Sequence, residues 1–211
     1  GILKTNTLGY DGHGQFVLNS LDDIKKGWCF TADYILEKKV NLSKEISVVI
    51  SRFANDEIYT YEPIENTHKD QILKHSKIPS DITTDIYNKA QDSAKLIADE
   101  LDYIGTMCVE YFIDQEENLL LNEIAPRVHN SGHLTINAFN ISQFENHIRA
   151  VCSLNKEPVE KISNAEMINI LGNEIKEYRN RSFRDGEFFF DYQKKIIKEK
   201  RKMGHITILK K

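Results

Sequence analysis

Two acidic residues in one apolar stretch are the chain's first candidates for chemistry. Met107–Asp114 alternates and is rich in Val, Tyr, Phe and Ile, and Leu119–Ile124 is a second apolar run. Two such runs around a short polar turn predict a β-hairpin. A four-residue loop at 115–118 sets Asp114 opposite Leu119 and brings Glu110 opposite Glu123. Paired positions lie roughly 4.5–5.5 Å apart at Cβ, where like charges repel. Cys108 and Phe112 share a face with Glu110, and Leu121 shares one with Glu123. Carboxylates so placed call for a shared proton or a cation. Oxygen ligands of this kind suit Mg²⁺, which one or two carboxylates and substrate phosphates often hold. The same pattern also suits a solvent-facing hairpin whose glutamates keep an edge soluble.

The residues that follow favour the cation. Asn122 precedes Glu123, and Pro126–His133 packs Arg127, His129, Asn130, Ser131, Gly132 and His133 into one short loop. Such residues on a Pro- and Gly-punctuated loop are poor core material and good anion ligands.

A second candidate lies near the start. Ile2–Lys4 reads as a strand ending in lysine, and Phe16–Leu18 as a returning strand. Between them Gly9, Gly12 and Gly14 lie within six residues. This is the layout of a flap whose backbone N–H groups can cover phosphates, or of a plain hairpin with a mobile tip. No helix follows directly, so neither a Walker loop nor a dinucleotide fingerprint is indicated. A third candidate is the basic run Lys194–Lys202, either a solvated face or a phosphate site.

The elements that must position these residues can be read coarsely. Leu21–Gly27 is a predicted short helix capped by Ser20, and Phe30–Glu37 a strand running into a hinge-like Lys38–Asn41. Ile46–Arg52 and Glu57–Tyr61 are predicted strands, and Pro63–Ile78 a loop holding His68. Ser80–Leu101 is the clearest helix, with Ile86, Ala90, Ala94, Ile97 and Leu101 on one face. A helix over Ile141–Cys152, capped by Ser142, gathers Phe144, Ile148 and Val151 on one side. Met167–Leu171, Phe188–Tyr192 and 205–209 are predicted strands, and Glu174–Arg184 a polar helix or loop. The whole reads as α+β.

Composition limits the functions available. The 211 residues carry 28 basic and 32 acidic side chains, a net charge of −4, and nothing global points to nucleic acid. No apolar run is long enough for a membrane span, and no signal peptide is visible. Cys29, Cys108 and Cys152 form no CxxC pair, which makes a reducing cytoplasmic setting the default. Both ends are abrupt, as in a fragment of a longer protein.

A lysine-ended strand, the Gly9–Gln15 loop, Glu37 and Val40 with Glu45 five residues on, and the pair Glu110 and Glu123 together resemble the ATP-grasp superfamily. Within it, the stretch from Asn122 to His133, the Gly9–Gln15 loop and Arg201–His205 are similar to the N5-carboxyaminoimidazole ribonucleotide synthase family. The resemblance implies two α+β lobes clasping ATP, at 1–36 and 37–154, and a β-rich C-terminal subdomain at 155–211. It implies ATP-dependent carboxylation of 5-aminoimidazole ribonucleotide by bicarbonate, through carboxyphosphate, in de novo purine synthesis. By the same resemblance Lys4, Gly9, Gly12, Gly14 and Gln15 would meet ATP phosphates. Glu37 and Val40 would meet adenine, and Glu45 the ribose. His68 and Asn122 would lie near the nucleotide, and Glu110 and Glu123 would hold Mg²⁺. Tyr10, Asp11, Arg127, His129, Asn130 and Ser131 would shape the bicarbonate and imidazole site, and Lys194, Arg201 and Lys202 would bind the 5′-phosphate. A homodimer is implied, with no nucleic-acid or membrane partner. Two other readings stand beside this one: another ATP-grasp ligase of purine synthesis, or a nucleotide-binding fragment inactive without the family's N-terminal domain.

Overall fold

A computed structural model describes residues 1–7, 14–20, 22–23 and 33–210. The predicted helix Leu21–Gly27 falls largely outside these residues, as do Gly9, Tyr10, Asp11, Gly12, Cys29 and the first part of the predicted strand Phe30–Glu37. The chain divides into two units, one of Gly1–Asn41 with Asp70–Ile72, the other of Leu42–Lys69 with Leu73–Lys211.

The first unit is a three-stranded antiparallel sheet. Its strands are β1 (Ile2–Thr5), β2 (Gln15–Val17) and β3 (Tyr34–Glu37), in the order β2-β1-β3. Lys4 pairs with Gln15 on one side and Ile35 on the other. Gly14 has φ +78°, and a Cβ there would collide with the Thr5 side chain. Glycine is therefore required where the chain turns back into β2.

The second unit is built on one long sheet. It contains β4 (Leu42–Arg52), β5 (Ile58–Thr60), β6 (Ile64–Lys69) and β7 (Ile72–Ile78), and then helix α1 (Thr84–Glu100). The hairpin follows as β8 (Gly105–Asp114) and β9 (Leu119–Ala125). A 3-10 turn at Ser131–Leu134, short helix α2 (Thr135–Ala138) and α3 (Gln143–Val151) come next. The chain closes with β10 (Asn164–Leu171), α4 (Glu174–Asn180), β11 (Glu187–Asp191) and β12 (Lys202–Lys210). The strand order is β11-β12-β10-β7-β6-β4-β8-β9, with β5 beside β4.

Alternation along β4 and β8 separates the sheet's two faces. Ile46, Val48 and Ile50 of β4 and Met107, Val109, Tyr111 and Ile113 of β8 pack under Ile86, Ala90, Ala94 and Ala98 of α1. Burying each larger side chain is worth roughly 1.5–3 kcal/mol, which fixes the register against a one-residue slip. The other face therefore belongs to Glu45, Ser47 and Val49 of β4 and to Cys108, Glu110 and Phe112 of β8. Beneath the loop after β9 it closes over Val49, Cys108, Ala125, Leu134, Ala138 and Phe139. Glu45 and Glu110 share this second face.

Four local expectations are corrected. The predicted loop Pro63–Ile78 is the hairpin β6–β7, and His68 lies on a strand. Its turn places Asp70 and Gln71 at φ +50° and +66°, the primed geometry usually supplied by Asn-Gly, so sequence punctuation gave no notice of it. Helix α1 begins at Thr84, not Ser80, because Thr83 is the cap, its hydroxyl accepting from the Ile86 N–H. Its expected apolar terminus, Leu101, is exposed. Helix α3 is capped by Ser142 as expected, but it turns Phe144, Ile148 and Val151 outward and buries Gln143, Asn146 and Ala150.

Candidate functional site

Glu110 and Glu123 do lie directly opposite each other, by a route the sequence did not indicate. The connection is a three-residue loop, not the four residues expected. Asp114 N–H donates to the Asn118 carbonyl, and Glu117 sits at φ +62°. This is the three-residue hairpin in which a left-handed residue closes a type I turn. The Asp114 carboxylate stabilises it by accepting from Glu116 N–H at 3.0 Å and Asn118 N–H at 2.8 Å. The shorter loop shifts the ladder to Ile113 opposite Leu119. A bulge between the pairs Tyr111–Leu121 and Glu110–Glu123 takes up one residue, Asn122, and restores the expected carboxylate pairing.

The two carboxylates differ in setting. Glu123 is exposed, whereas Glu110 is half-buried. Burial and the Glu123 charge push the Glu110 carboxyl up to about 7, with Glu45 adding to the effect and His68 and Lys202 opposing it. Such an acid gains from a cation at neutral pH. His68 Nδ1 lies 2.6 Å from Glu45 Oε2. Burial lowers the His68 pKa, but the Glu45 hydrogen bond and charge outweigh it and raise the imidazole above its ordinary value.

The loop after β9 lies against the same face. His129 Nε2 is 3.4 Å from Glu110 Oε1. The backbone of His129 is clamped by one side chain: His129 N–H donates to Gln143 Oε1 at 2.9 Å, and Gln143 Nε2 donates to the His129 carbonyl at 2.6 Å. Gln143 Nε2 also lies 3.1 Å from His133 Nδ1. A Cβ on Gly132 would come within 2.6 Å of the Gln143 amide, so glycine is what lets the clamp close. Asn130 and Asn169 exchange amide hydrogen bonds of 3.1 and 2.6 Å, tying the loop to β10. Ser131 is fully buried, its hydroxyl 2.9 Å from His129 Nδ1. Burial, with the nearby charges of Arg127 and Lys202, holds His129 down to about 3, and burial holds His133 down to about 4. Both rings are neutral nitrogen donors or acceptors at pH 7.

The donor set fits a hard divalent cation. Glu110 and Glu123 offer carboxylate oxygens from paired strand positions, an arrangement that suits Mg²⁺ together with phosphate oxygens. Cys108 Sγ, a Glu110 oxygen and a His129 nitrogen also lie within 4.8 Å of one another. That trio does not suit a thiolate-bound metal, because burial in an apolar setting pushes the Cys108 thiol far up.

The basic run is irregular. Lys194 Nζ lies 5.3 Å over the Tyr192 ring and donates to the Lys202 carbonyl at 2.7 Å. Arg201 Nη1 donates to the Ile196 carbonyl at 3.0 Å, bracing the run's own loop. Lys202 opens β12, and its charge is felt at Glu110, His68, His129 and His133. Arg127 is exposed.

In the first unit Lys4 Nζ forms a 2.8 Å ion pair with Glu37 Oε2. Gln15 opens β2, and Val40 lies in the connection between β3 and β4. The second unit thus brings together Glu45, His68, Glu110, Glu123, His129, Ser131 and Lys202. Sequence reasoning missed Gln143, Ser47, Asn66 and Asn169. Each reads as an unremarkable polar residue in a helix or strand, and only its complete burial, or near-complete burial for Asn66, marks it.

Comparison with known proteins adds a separate finding. The family model for the ATP-grasp domain matches residues 1–144, and that for the phosphoribosylaminoimidazole carboxylase C-terminal domain matches residues 165–211. N5-carboxyaminoimidazole ribonucleotide synthase of Bacillus subtilis (strain 168) is 40% identical over 99% of this chain and 56% of its own length. The enzyme of the same name from Brucella melitensis is 39% identical over 100% of this chain and 59% of its own. The chain therefore spans a little over half the length of these relatives. A crystal structure of N5-carboxyaminoimidazole synthetase from Staphylococcus aureus complexed with ADP superposes with a TM-score of 0.91, at 36% identity over 99% of this chain and 57% of that one. The corresponding synthase from Aspergillus clavatus, in complex with ADP and 5-aminoimidazole ribonucleotide, gives 0.87 at 31% identity, covering 99% and 57%.

Proposed function

The chain belongs to the ATP-grasp family, and on that premise we propose that it carries the ATP-dependent carboxylation of 5-aminoimidazole ribonucleotide by bicarbonate, giving N5-carboxyaminoimidazole ribonucleotide in de novo purine synthesis. The observation that carries the reading is the pair Glu110–Glu123 lying beside the clamped His129–Ser131 loop on one sheet face. Relatives of this name at about 40% identity across the whole chain support it, as does the relative holding both ADP and the aminoimidazole ribonucleotide.

In this reading Glu110 and Glu123 hold Mg²⁺, with Asn122 and His68 beside the nucleotide. Bound there, the cation supplies charge neutralisation to the phosphate oxygens. Catalysis by the chain's own residues is then positioning and electrostatics. Lys4, Gly14 and Gln15, with Gly9 and Gly12, bind ATP phosphates; Glu37 and Val40 bind adenine; Glu45 binds ribose. Arg127, His129, Asn130 and Ser131, with Tyr10 and Asp11, orient bicarbonate and the imidazole. Lys194, Arg201 and Lys202 bind the 5′-phosphate as cations. Bicarbonate attack on the γ-phosphorus yields carboxyphosphate and ADP, and the substrate amine then takes the carboxyl group with release of phosphate. The lobe boundaries at 36/37 and 154/155, a homodimer and a cytoplasmic setting belong to the same proposal.

The test is phosphate release. With Mg²⁺ and ATP, release that requires both bicarbonate and 5-aminoimidazole ribonucleotide is expected. Release driven by formate with glycinamide ribonucleotide would overturn the reading in favour of another ligase of the fold. A folded chain that binds nucleotide and releases no phosphate under any condition would reduce it to a binding fragment.

A further inference from the structure

A line of buried polar side chains crosses the sheet to reach His129. Ser76 on β7, Asn66 on β6 and Ser47 on β4 sit on three neighbouring strands, and Ser131 lies above them. The three serines are fully buried, and Asn66 is nearly so. Successive links measure 2.8 Å from Ser76 to Asn66, 2.9 Å from Asn66 to Ser47, 2.8 Å from Ser47 to Ser131 and 2.9 Å from Ser131 to His129 Nδ1.

The direction of the line is fixed at one end. The backbone N–H of Ser131 points at His129 Nδ1 from 3.4 Å, and a backbone N–H can only donate. Nδ1 is therefore an acceptor and carries no proton. The Ser131 hydroxyl, which also meets Nδ1, must donate its one proton there. It must then accept from Ser47. Ser47, its proton committed, must accept from the Asn66 NH₂ group, which leaves the Asn66 carbonyl to accept from Ser76. In this sense every group of the line is satisfied, and the Cys108 thiol, 3.8 Å from the Ser131 hydroxyl, can act there only as a further donor.

We propose that Ser47, Asn66 and Ser76 are positioning residues whose hydrogen-bonded line through Ser131 holds His129 in the Nε2–H tautomer, so that the loop presents an N–H donor beside Glu110. The 3.4 Å gap to Glu110 is too long for a strong hydrogen bond, so that N–H is left for an incoming acceptor oxygen. An acceptor of the matching chemistry is a bicarbonate or transferring phosphoryl oxygen, an assignment that rests on the function proposed above. With the proton on Nδ1 instead, two donors would face each other at Ser131 and a lone pair would face the anion.

Histidine-labelled chain, studied by long-range proton–nitrogen correlation, tests the tautomer without any substrate. His129→Gln identifies the His129 signals by their loss. The expected wild-type pattern is protonated Nε2 and unprotonated Nδ1 across neutral pH. Ser47→Ala should populate both tautomers, and Ser47→Thr should restore the wild-type pattern. Asn66→Leu serves the same purpose if Ser47→Ala does not fold. A wild-type Nδ1–H pattern, or a Ser47→Ala spectrum identical to wild type, would overturn the proposal. In the bicarbonate-dependent phosphate assay Ser47→Ala should lower kcat roughly tenfold, as loss of an outer hydrogen-bonding partner commonly does, with KM for ATP unchanged. Nε2–H in a chain with no bicarbonate-dependent release would instead sink the functional reading and leave the tautomer standing.

Discussion

Glu110 is where burial, like charge and a nearby imidazole compete over one proton. Its pKa is raised to about 7, first by burial and next by Glu123. A folded-state value above the unfolded one means the native state binds this proton more tightly. The stabilising contribution is complete below about pH 4.5 and is lost as pH rises through 7. Glu110→Gln removes the cost of ionisation. In the absence of metal it should stabilise the chain at pH 8 by on the order of 1–3 kcal/mol and leave stability near pH 4.5 unchanged, as read by denaturant titration at the two pH values. The same substitution removes a proposed Mg²⁺ ligand, so gained stability and lost cation binding should appear in one variant. That pairing is what a site built for a cation shows and a solubilising surface glutamate does not.

The hairpin that carries Glu110 was legible in its strands and misread in its turn. Val, Tyr, Phe and Ile at alternate positions identify β8, yet the loop length depends on Asp114 bonding two backbone amides and on Glu117 accepting a left-handed conformation. Neither shows in a run of Gln, Glu, Glu and Asn. The carboxylate pairing came out right only because the bulge at Asn122 cancels the turn's one-residue difference. Asp114→Ala should cost about 0.5–1.5 kcal/mol by removing the exposed hydrogen bonds that close the turn, whereas Glu117→Gly should be neutral or stabilising by up to about 1 kcal/mol, since glycine takes φ +62° without a Cβ penalty. Thermal unfolding of the two variants checks both signs. The hairpin β6–β7 was missed for a related reason: its inward residues, Asn66 and His68, are polar and meet Ser47 and Glu45, which erases the apolar alternation of a strand. Helix α3 likewise buries Gln143 to hold the His129 backbone, so its apolar residues point to the wrong side for a pattern reader. Gly132→Ala should force Gln143 out of its clamp and cost about 1–3 kcal/mol. An accompanying loss of protection at the His129 amide in hydrogen exchange would locate the damage.

Across the second unit, three imidazoles are held neutral. His129 and His205 are lowered to about 3 and His133 to about 4, in each case mainly by burial. A depressed histidine binds protons less readily in the native state than in the unfolded one. The contribution is present above the unfolded value near 6.5 and is lost as pH falls toward the folded values. Three such groups outweigh Glu110, so the denaturation midpoint should climb steadily from pH 4 to 6.5. A midpoint that is flat or falling over that range would contradict the buried neutral cluster.

The central claim is that a magnesium–nucleotide site is built on the Glu110–Glu123 face. Calorimetric titration of the chain with ADP, with and without Mg²⁺, tests it most directly when Glu110→Gln and Glu123→Gln are run beside it. Binding that requires Mg²⁺ and is weakened at least tenfold by each substitution is the predicted result. Binding that ignores both substitutions would contradict it.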